Sequence, residues 1–257
     1  MESSPTRPTP PRELAIVWRE LRNRIGAVLD GASDTLDGSE IVRAAGDDVR
    51  LIDVVAHMRT YLARFGPAGR TSDSPTACAA VAVRTNLVSG SAALTDAIQG
   101  WRDEAAAVEA QLSGADPAAV VELICEDVQH EHDLRMTLGC PGDRDSEAIK
   151  IALVAMSEQL SERVARVRLP ALRITVEQWG TELGDGVPKR CVVADRYEFV
   201  RAMGGRRSRS EVLRWNWSDG ADDYPDVISA TGSARAEELQ ERDPRVPADM
   251  RDREFVL

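Results

Sequence analysis

One uninterrupted stretch, residues 117–138, most strongly constrains what this chain can fold into. It has no internal glycine or proline, begins with Pro117 and is followed by Gly139. Proline in the first turn and glycine just past the end are the start and stop signals of an α-helix. We therefore predict a helix here, and it carries two of the chain's three histidines, His130 and His132.

The spacing within this helix indicates a metal site. Glu126 and His130 are four residues apart, so their side chains lie one turn apart on the same helix face. Such a pair can bind one metal ion but needs a third ligand from elsewhere. The remaining histidine, His57, lies in a second helical pattern. Two histidines and one glutamate are typical of catalytic zinc, where three protein ligands leave a fourth position open.

Two motifs in this order resemble the mycothiol-dependent maleylpyruvate isomerase family. The first is Asp-Val-Val-Ala-His, ending at His57, and the second is Glu-x-x-x-His-x-x-Asp-Leu, beginning at Glu126. Further likeness lies in Gly-Arg-Arg-Ser-Arg at residues 205–209 and Trp-Asn-Trp at residues 215–217. The resemblance implies a DinB-like up-down four-helix bundle with a small C-terminal domain. It also implies metal ligands at His57, Glu126 and His130.

The same resemblance implies an activity. It implies zinc or another divalent metal and mycothiol, the small thiol of actinobacteria, as cofactors, and a small electrophilic molecule as substrate. Zinc favours the thiolate form of a bound thiol, and the thiolate is the nucleophile of an S-transferase or of a thiol-dependent cis–trans isomerase. The metal ligands do not choose between these reactions or a hydrolase. Two further alternatives stay open: a non-catalytic metal-binding protein and a helical-bundle interaction module.

Three residues near the motifs each have two interpretations. Asp53, one turn before His57, either orients a ring nitrogen of His57 or only favours the start of its helix through its charge. His132 is either a core residue or a hydrogen-bonding group near the metal. Asp133 lies near a helix C-terminus, where a negative charge is unfavourable, which predicts a specific partner such as an arginine.

An arginine cluster is the candidate cofactor contact. Arg206 and Arg207, with Arg209 close by, could bind an anionic substrate or the carboxylate of a thiol cofactor, because guanidinium groups make paired contacts with oxyanions. The alternative is a solvated loop or a clamp between domains.

Composition limits the partners. The net charge of −11 argues against binding to nucleic acid or to an anionic membrane by bulk electrostatics. No apolar run reaches the roughly 18 residues of a membrane-spanning helix, and the N-terminus lacks a hydrophobic segment, so we expect a cytoplasmic protein. Four cysteines without a Cys-x-x-Cys pair predict free, buried thiols. The oligomeric state stays open.

Hydrophobic periodicity predicts an α+β fold. The predicted helices are residues 12–29, 51–65, 76–112 with a break near Gly90, 117–138, 146–168, 195–203 and 208–217. The predicted strands are residues 172–176 and 190–193, and residues 31–50 are expected to be a loop. The expected organisation is a disordered arm (1–11), a metal-binding helical bundle (12–168), a small α/β domain (169–232) and an exposed charged tail (233–257).

Overall fold

The computed structural model describes residues 10–33, 36–44, 48–65, 89–177, 179–239, 241 and 243. Within these residues the chain forms eight α-helices and two small β-sheets, which confirms the α+β class. The expected disordered arm lies almost entirely outside the described residues, as does the first half of the helix predicted at residues 76–112.

Five helices make up most of the first two thirds of the chain. They are α1 (Pro11–Ser33), α2 (Leu51–Ala63), α3 (Ser91–Leu112), α4 (Pro117–Thr137) and α5 (Glu147–Arg166). The start of α4 follows from its sequence, because the Asp116 side chain accepts a hydrogen bond from the backbone N–H of Ala118 and Pro117 occupies the first turn. Gly139, with φ of +65°, follows its end.

The predicted loop at residues 31–50 is wrong in part. Two short strands, β1 (Ile41–Arg43) and β2 (Asp48–Arg50), pair antiparallel, with Val42 opposite Val49. Both valines are buried while their neighbours are exposed or half-buried. A three-residue alternation is too short for periodicity to distinguish it from a loop.

The first four helices contact one another in a closed cycle. Helix α1 packs against α3 and α4, and α2 packs against the same two helices. Helix α4 therefore lies between α1 and α2, and it also contacts α5. In the described part of the chain every helix is too short or too polar to cross a lipid bilayer.

The second sheet has the strand order β4-β3-β5-β6. Its strands are β3 (Leu172–Val176), β4 (Trp179–Leu183), β5 (Arg190–Val193) and β6 (Asn216–Trp217), with β3 antiparallel to β4 and parallel to β5. The predictions of β3 and β5 are confirmed. Strand β4 was not predicted, because its inner face contains the polar Thr181 between Trp179 and Leu183, which weakens the apolar alternation.

The predicted helix at residues 208–217 is wrong beyond its first half. The helices of this part are α6 (Arg196–Met203), α7 (Arg209–Leu213) and α8 (Pro225–Ile228). After α7 the chain extends into β6, because Trp217 pairs with Val192 and donates its indole N–H to the Val212 carbonyl. The ring of Trp215 packs against Phe199.

The two predicted domains share one apolar core. A single cluster of buried hydrophobic residues extends from α1 to α8, and α5 packs against α4 on one side and against α6 and β4 on the other. In the tail expected from residue 233, residues 233 and 236–238 are exposed, but two later side chains are not. Leu239 is 3% exposed, and the carboxylate of Glu241 is buried among arginines. Charge pattern alone could not show that these arginines lie nearby.

Candidate metal centre

Helix α4 is the element on which the site is built. Every residue from 123 to 134 is buried, including four carboxylates and two histidines. Helices in globular proteins normally keep one wet, polar face, so a helix buried on all sides must supply each polar side chain with a partner. The polar side chains of α4 contact several neighbouring elements, and these contacts form separate groups along the helix.

On the face toward α2, three side chains from two helices meet. A carboxylate oxygen of Glu126 (Oε1) lies 3.2 Å from Nε2 of His57 and 3.2 Å from Nε2 of His130. One nitrogen or oxygen from each residue lies within 4.8 Å of the others. His57 is 69 positions from Glu126 in the sequence, so packing of α2 against α4 assembles the cluster. Among the described residues this is the one group with the spacing for a metal ion.

The spacing fits a tetrahedral zinc ion. Zinc–nitrogen and zinc–oxygen bonds of about 2.0–2.2 Å give tetrahedral ligands that are roughly 3.3 Å apart. The two measured nitrogen–oxygen separations of 3.2 Å are close to this distance. Two imidazoles and a carboxylate are also the donor set that zinc accepts, and three ligands leave one position open.

Electrostatics favour the forms of Glu126 and His130 that bind cations. Burial acts to raise the pKa of Glu126, but hydrogen bonds with His130 and His57 outweigh it and hold that pKa below its usual range. Burial lowers the pKa of His130, and the neighbouring Glu126 only partly offsets this. An ionised carboxylate beside a neutral imidazole has lone pairs on both groups, as a metal ligand set requires.

The site is closed deep in the core and more open at His57. The side chains of Glu126 and His130 are 6% and 1% exposed, whereas that of His57 is 16% exposed. One turn further along α2, Tyr61 donates a hydrogen bond to Glu122 over 3.0 Å, and the guanidinium of Arg64 lies over its ring. The Tyr61 ring stacks against that of His57, with 6.4 Å between the ring centroids.

Two cavities of the structure lie elsewhere. One, of about 100 Å³, borders His132 and Tyr197, and the other, of about 560 Å³, lies between α1 and the end of α4 near Cys140. None of the three candidate ligands lines either cavity. A metal ion needs only its ligand shell, so the positions of the donor atoms bear on metal binding more directly than the size of a cavity does.

Asp53 lies in the first turn of α2, a position from which its charge favours the start of the helix. Its carboxylate accepts hydrogen bonds of 2.7 and 2.9 Å from Arg50. A role in orienting His57 stays a prediction.

Two turns beyond Glu126 along α4, the contact with α6 is built from fixed charges. Asp133 accepts hydrogen bonds of 2.7 Å from Arg201 and 2.7 Å from Arg206, which gives it the arginine partner that its position predicts. All three side chains are at most 3% exposed. Arg206 is thus a clamp between α4 and the C-terminal part, the alternative that its motif left open. A direct contact of Arg206 with a cofactor stays a prediction.

Arg207 is engaged in the same way. It is 2% exposed and donates hydrogen bonds to Glu198 and to Glu241. Arg209, by contrast, is about half exposed and lies near Asp222 and Asp226. Of the three arginines in the motif, the two buried ones connect elements and only Arg209 is turned to solvent.

His132 is separate from the metal cluster. It is 3% exposed, its ring makes an edge contact with Tyr197 at 4.7 Å between centroids, and its Nε2 has no hydrogen-bond partner among the described residues. These contacts favour the interpretation of a core residue.

All three described cysteines are free, and Cys78 lies outside the described residues. Of the three, Cys125 is buried, Cys140 is half-buried and Cys191 is exposed, so the prediction of burial holds for Cys125 alone among them. Burial raises the pKa of the Cys125 thiol to about 12, which makes it a poor source of a metal-binding thiolate.

Sequence reasoning missed several of the residues that hold α4 in place. Trp18 donates its indole N–H to Asp127 over 2.7 Å, and Arg24 makes two hydrogen bonds to Glu131. Arg201 donates to the backbone and side chain of Gln129. One signal in the sequence could have indicated these contacts: α4 contains many acidic and amide residues. On a helix with one solvated face such side chains can stay in water, whereas on a buried helix each needs a hydrogen-bonding partner.

Comparison of the chain with protein-family profiles, with curated proteins and with solved structures found no match. The geometry of the site and the sequence motifs are therefore the evidence for a function.

Proposed function

We propose that this chain binds a divalent metal ion, zinc by preference, through His57, Glu126 and His130. We further propose that it is a mycothiol-dependent S-transferase or cis–trans isomerase that acts on a small electrophile. In this proposal the first four helices are a DinB-like bundle that carries the metal. The observation that carries the proposal is the meeting of these three side chains, from two helices, around one Glu126 oxygen.

The chain's own residues have defined tasks in this proposal. His130 and Glu126 project from one face of a helix that its neighbours fix on all sides, so their relative position is rigid. His57 approaches from α2 and is the most exposed of the three ligands, so a substrate or thiol would have its easiest access to a bound ion from that side. The ion would supply a Lewis-acidic centre that favours the deprotonated form of a thiol.

Metal content is the direct test. Purified wild-type protein is expected to hold about one zinc per chain by elemental analysis, since each chain has one such ligand set. His57→Ala, Glu126→Ala and His130→Ala should each lose the zinc while helical circular dichroism is retained. Zinc in all three variants, or none in wild-type protein after zinc is offered, would contradict the proposal.

A matched control lies one turn away. Glu122 is on the same helix, is part-exposed and contacts Tyr61 and Arg64 rather than the two imidazoles. Glu122→Ala should therefore keep its zinc. Loss of zinc from this variant would show that any carboxylate change on α4 disturbs the site, and the assignment of Glu126 would lose its support.

A second candidate is a non-catalytic metal that links α2 to α4. The observation in its favour is that the two cavities described above do not reach the ligands. Cobalt substitution separates the candidates, because a thiol that enters the coordination shell changes the visible absorption of cobalt(II). A spectral change on adding mycothiol supports the enzyme. Bound cobalt whose spectrum does not respond to any thiol supports the structural link.

A further inference from the structure

A second polar centre lies between α6 and the C-terminal part of the described chain, around Glu241. One carboxylate oxygen accepts hydrogen bonds of 3.1 and 2.5 Å from Arg201, and the other accepts 2.6 Å from Arg207 and 3.1 Å from Tyr197. Arg201, Arg207 and Tyr197 are at most 3% exposed. Burial acts to raise the pKa of Glu241, but the two arginines outweigh it and keep that pKa below its usual range. These three donors form a carboxylate cradle.

The cradle needs an anion. Arg201 has one other acidic partner, Asp133, and that carboxylate is shared with Arg206. Arg207 has Glu198, which is 31% exposed, and the more distant Glu211. With Glu241 withdrawn, two buried guanidinium groups would lack a full complement of negative charge. A buried, unpaired charge is strongly unfavourable, so an anion would be drawn to this position.

The cradle opens onto a cavity. Glu241 and Tyr197 line the cavity of about 100 Å³, together with His132, Arg135 and Arg144. That volume holds several water molecules, so it has room for a group of a few non-hydrogen atoms. His132 contributes a buried nitrogen, Nε2, that has no hydrogen-bond partner in the described part of the chain. A polar group entering the cavity could satisfy it.

We propose that Arg201, Arg207 and Tyr197 form a binding site for the carboxylate group of a small ligand, and that Glu241 is its internal occupant. The rest of the ligand lies in the cavity beside His132. The site is distinct from the metal centre, and its existence does not depend on metal binding.

The position of Glu241 in the fold allows the exchange. Glu241 belongs to no helix or strand, so its side chain can withdraw without breaking a regular element. The donors, by contrast, are fixed: Arg201 and Tyr197 lie on α6, and Arg207 keeps its hydrogen bonds to Glu198. A ligand carboxylate would find the same donor positions that Glu241 uses.

Rescue by acetate tests the proposal. Glu241→Ala should lower the midpoint of thermal unfolding by at least about 5 °C, because it leaves the two buried arginines short of a partner. Sodium acetate should restore at least half of this loss in a saturable manner, relative to sodium chloride of equal ionic strength. Inorganic phosphate is the second probe, and it should restore less than acetate, because the cradle is shaped for two oxygens.

Glu238→Ala is the matched control. Glu238 lies three residues earlier and pairs with Arg214 at the surface, where both side chains are largely exposed. This variant should unfold within about 1 °C of wild type, and acetate should have no more effect on it than chloride.

Three outcomes would overturn the proposal. They are a Glu241→Ala variant as stable as wild type, an acetate effect equal in both variants, and phosphate rescue equal to acetate rescue. If Glu241→Ala does not fold in chloride, refolding from urea gives the same test. Folding restored by acetate supports the site, and failure to fold in either salt contradicts it.

Discussion

Glu126 and Asp133 lie two turns apart along α4, and these two buried carboxylates have opposite kinds of partner. Toward α2, Glu126 meets two imidazoles, which carry no fixed charge. Toward α6, Asp133 meets two guanidinium groups, which are charged at every physiological pH. Both carboxylates are buried, so the difference lies in their partners rather than in their exposure.

This contrast indicates where a cation could bind. At Asp133 the charges neutralise one another within the protein, so this contact is complete as a structural clamp. At Glu126 a buried negative charge is accompanied by groups that can offer lone pairs. Buried charges in proteins are paired or bind metals, and the partners at Glu126 suit a metal.

Isosteric substitutions of Asp133 and Glu126 should differ most in their effect on the free energy of unfolding. In metal-free protein, Asp133→Asn should lower the free energy of unfolding by about 3–5 kcal/mol, because it leaves two buried arginines without their carboxylate. Glu126→Gln, which keeps a neutral hydrogen-bonding group beside the imidazoles, should change it by no more than about 1 kcal/mol. Urea unfolding measures both, and the reverse order would break the comparison.

Zinc should reverse this asymmetry in part. A ligand present at 100 to 1,000 times its dissociation constant stabilises a protein by about 2.7–4.1 kcal/mol, and wild-type protein should gain this much with zinc. Glu126→Gln should gain almost nothing, whereas Glu122→Ala should gain as much as wild type. Thermal unfolding with and without zinc checks all three, and an equal gain in Glu126→Gln would remove Glu126 from the ligand set.

The smallest expected effect is the pH dependence of the stability that Glu241 contributes. The pKa of Glu241 is lower in the folded than in the unfolded protein, so its stabilising contribution is present above the unfolded pKa of about 4.3. That contribution is lost as the pH falls toward the folded pKa. Wild type should therefore exceed Glu241→Gln by about 1.5–3 kcal/mol at pH 7, and the gap should close steadily below about pH 4. A gap independent of pH would show that Glu241 acts through packing rather than charge.

Much of the local structure follows from the sequence. The cap at Asp116, Pro117 and Gly139 define α4, and their effects depend only on residues a turn away. Strand β3 follows likewise from alternation over five residues. The hairpin formed by β1 and β2 and the two-residue β6 escaped prediction, because such short strands are stabilised by their partners rather than by their own pattern.

The candidate site divides in the same way. By itself the sequence determined that Glu126 and His130 share one helix face, because that follows from the period of the helix. The motifs suggested His57, but only the packing of α2 on α4 brought its ring to 3.2 Å from Glu126. Tertiary structure alone also decided that α4 is buried on every side and that Asp133 pairs with Arg201 and Arg206. Helical spacing is a property of neighbouring residues, whereas the partner of a buried charge is set by whichever element packs against it.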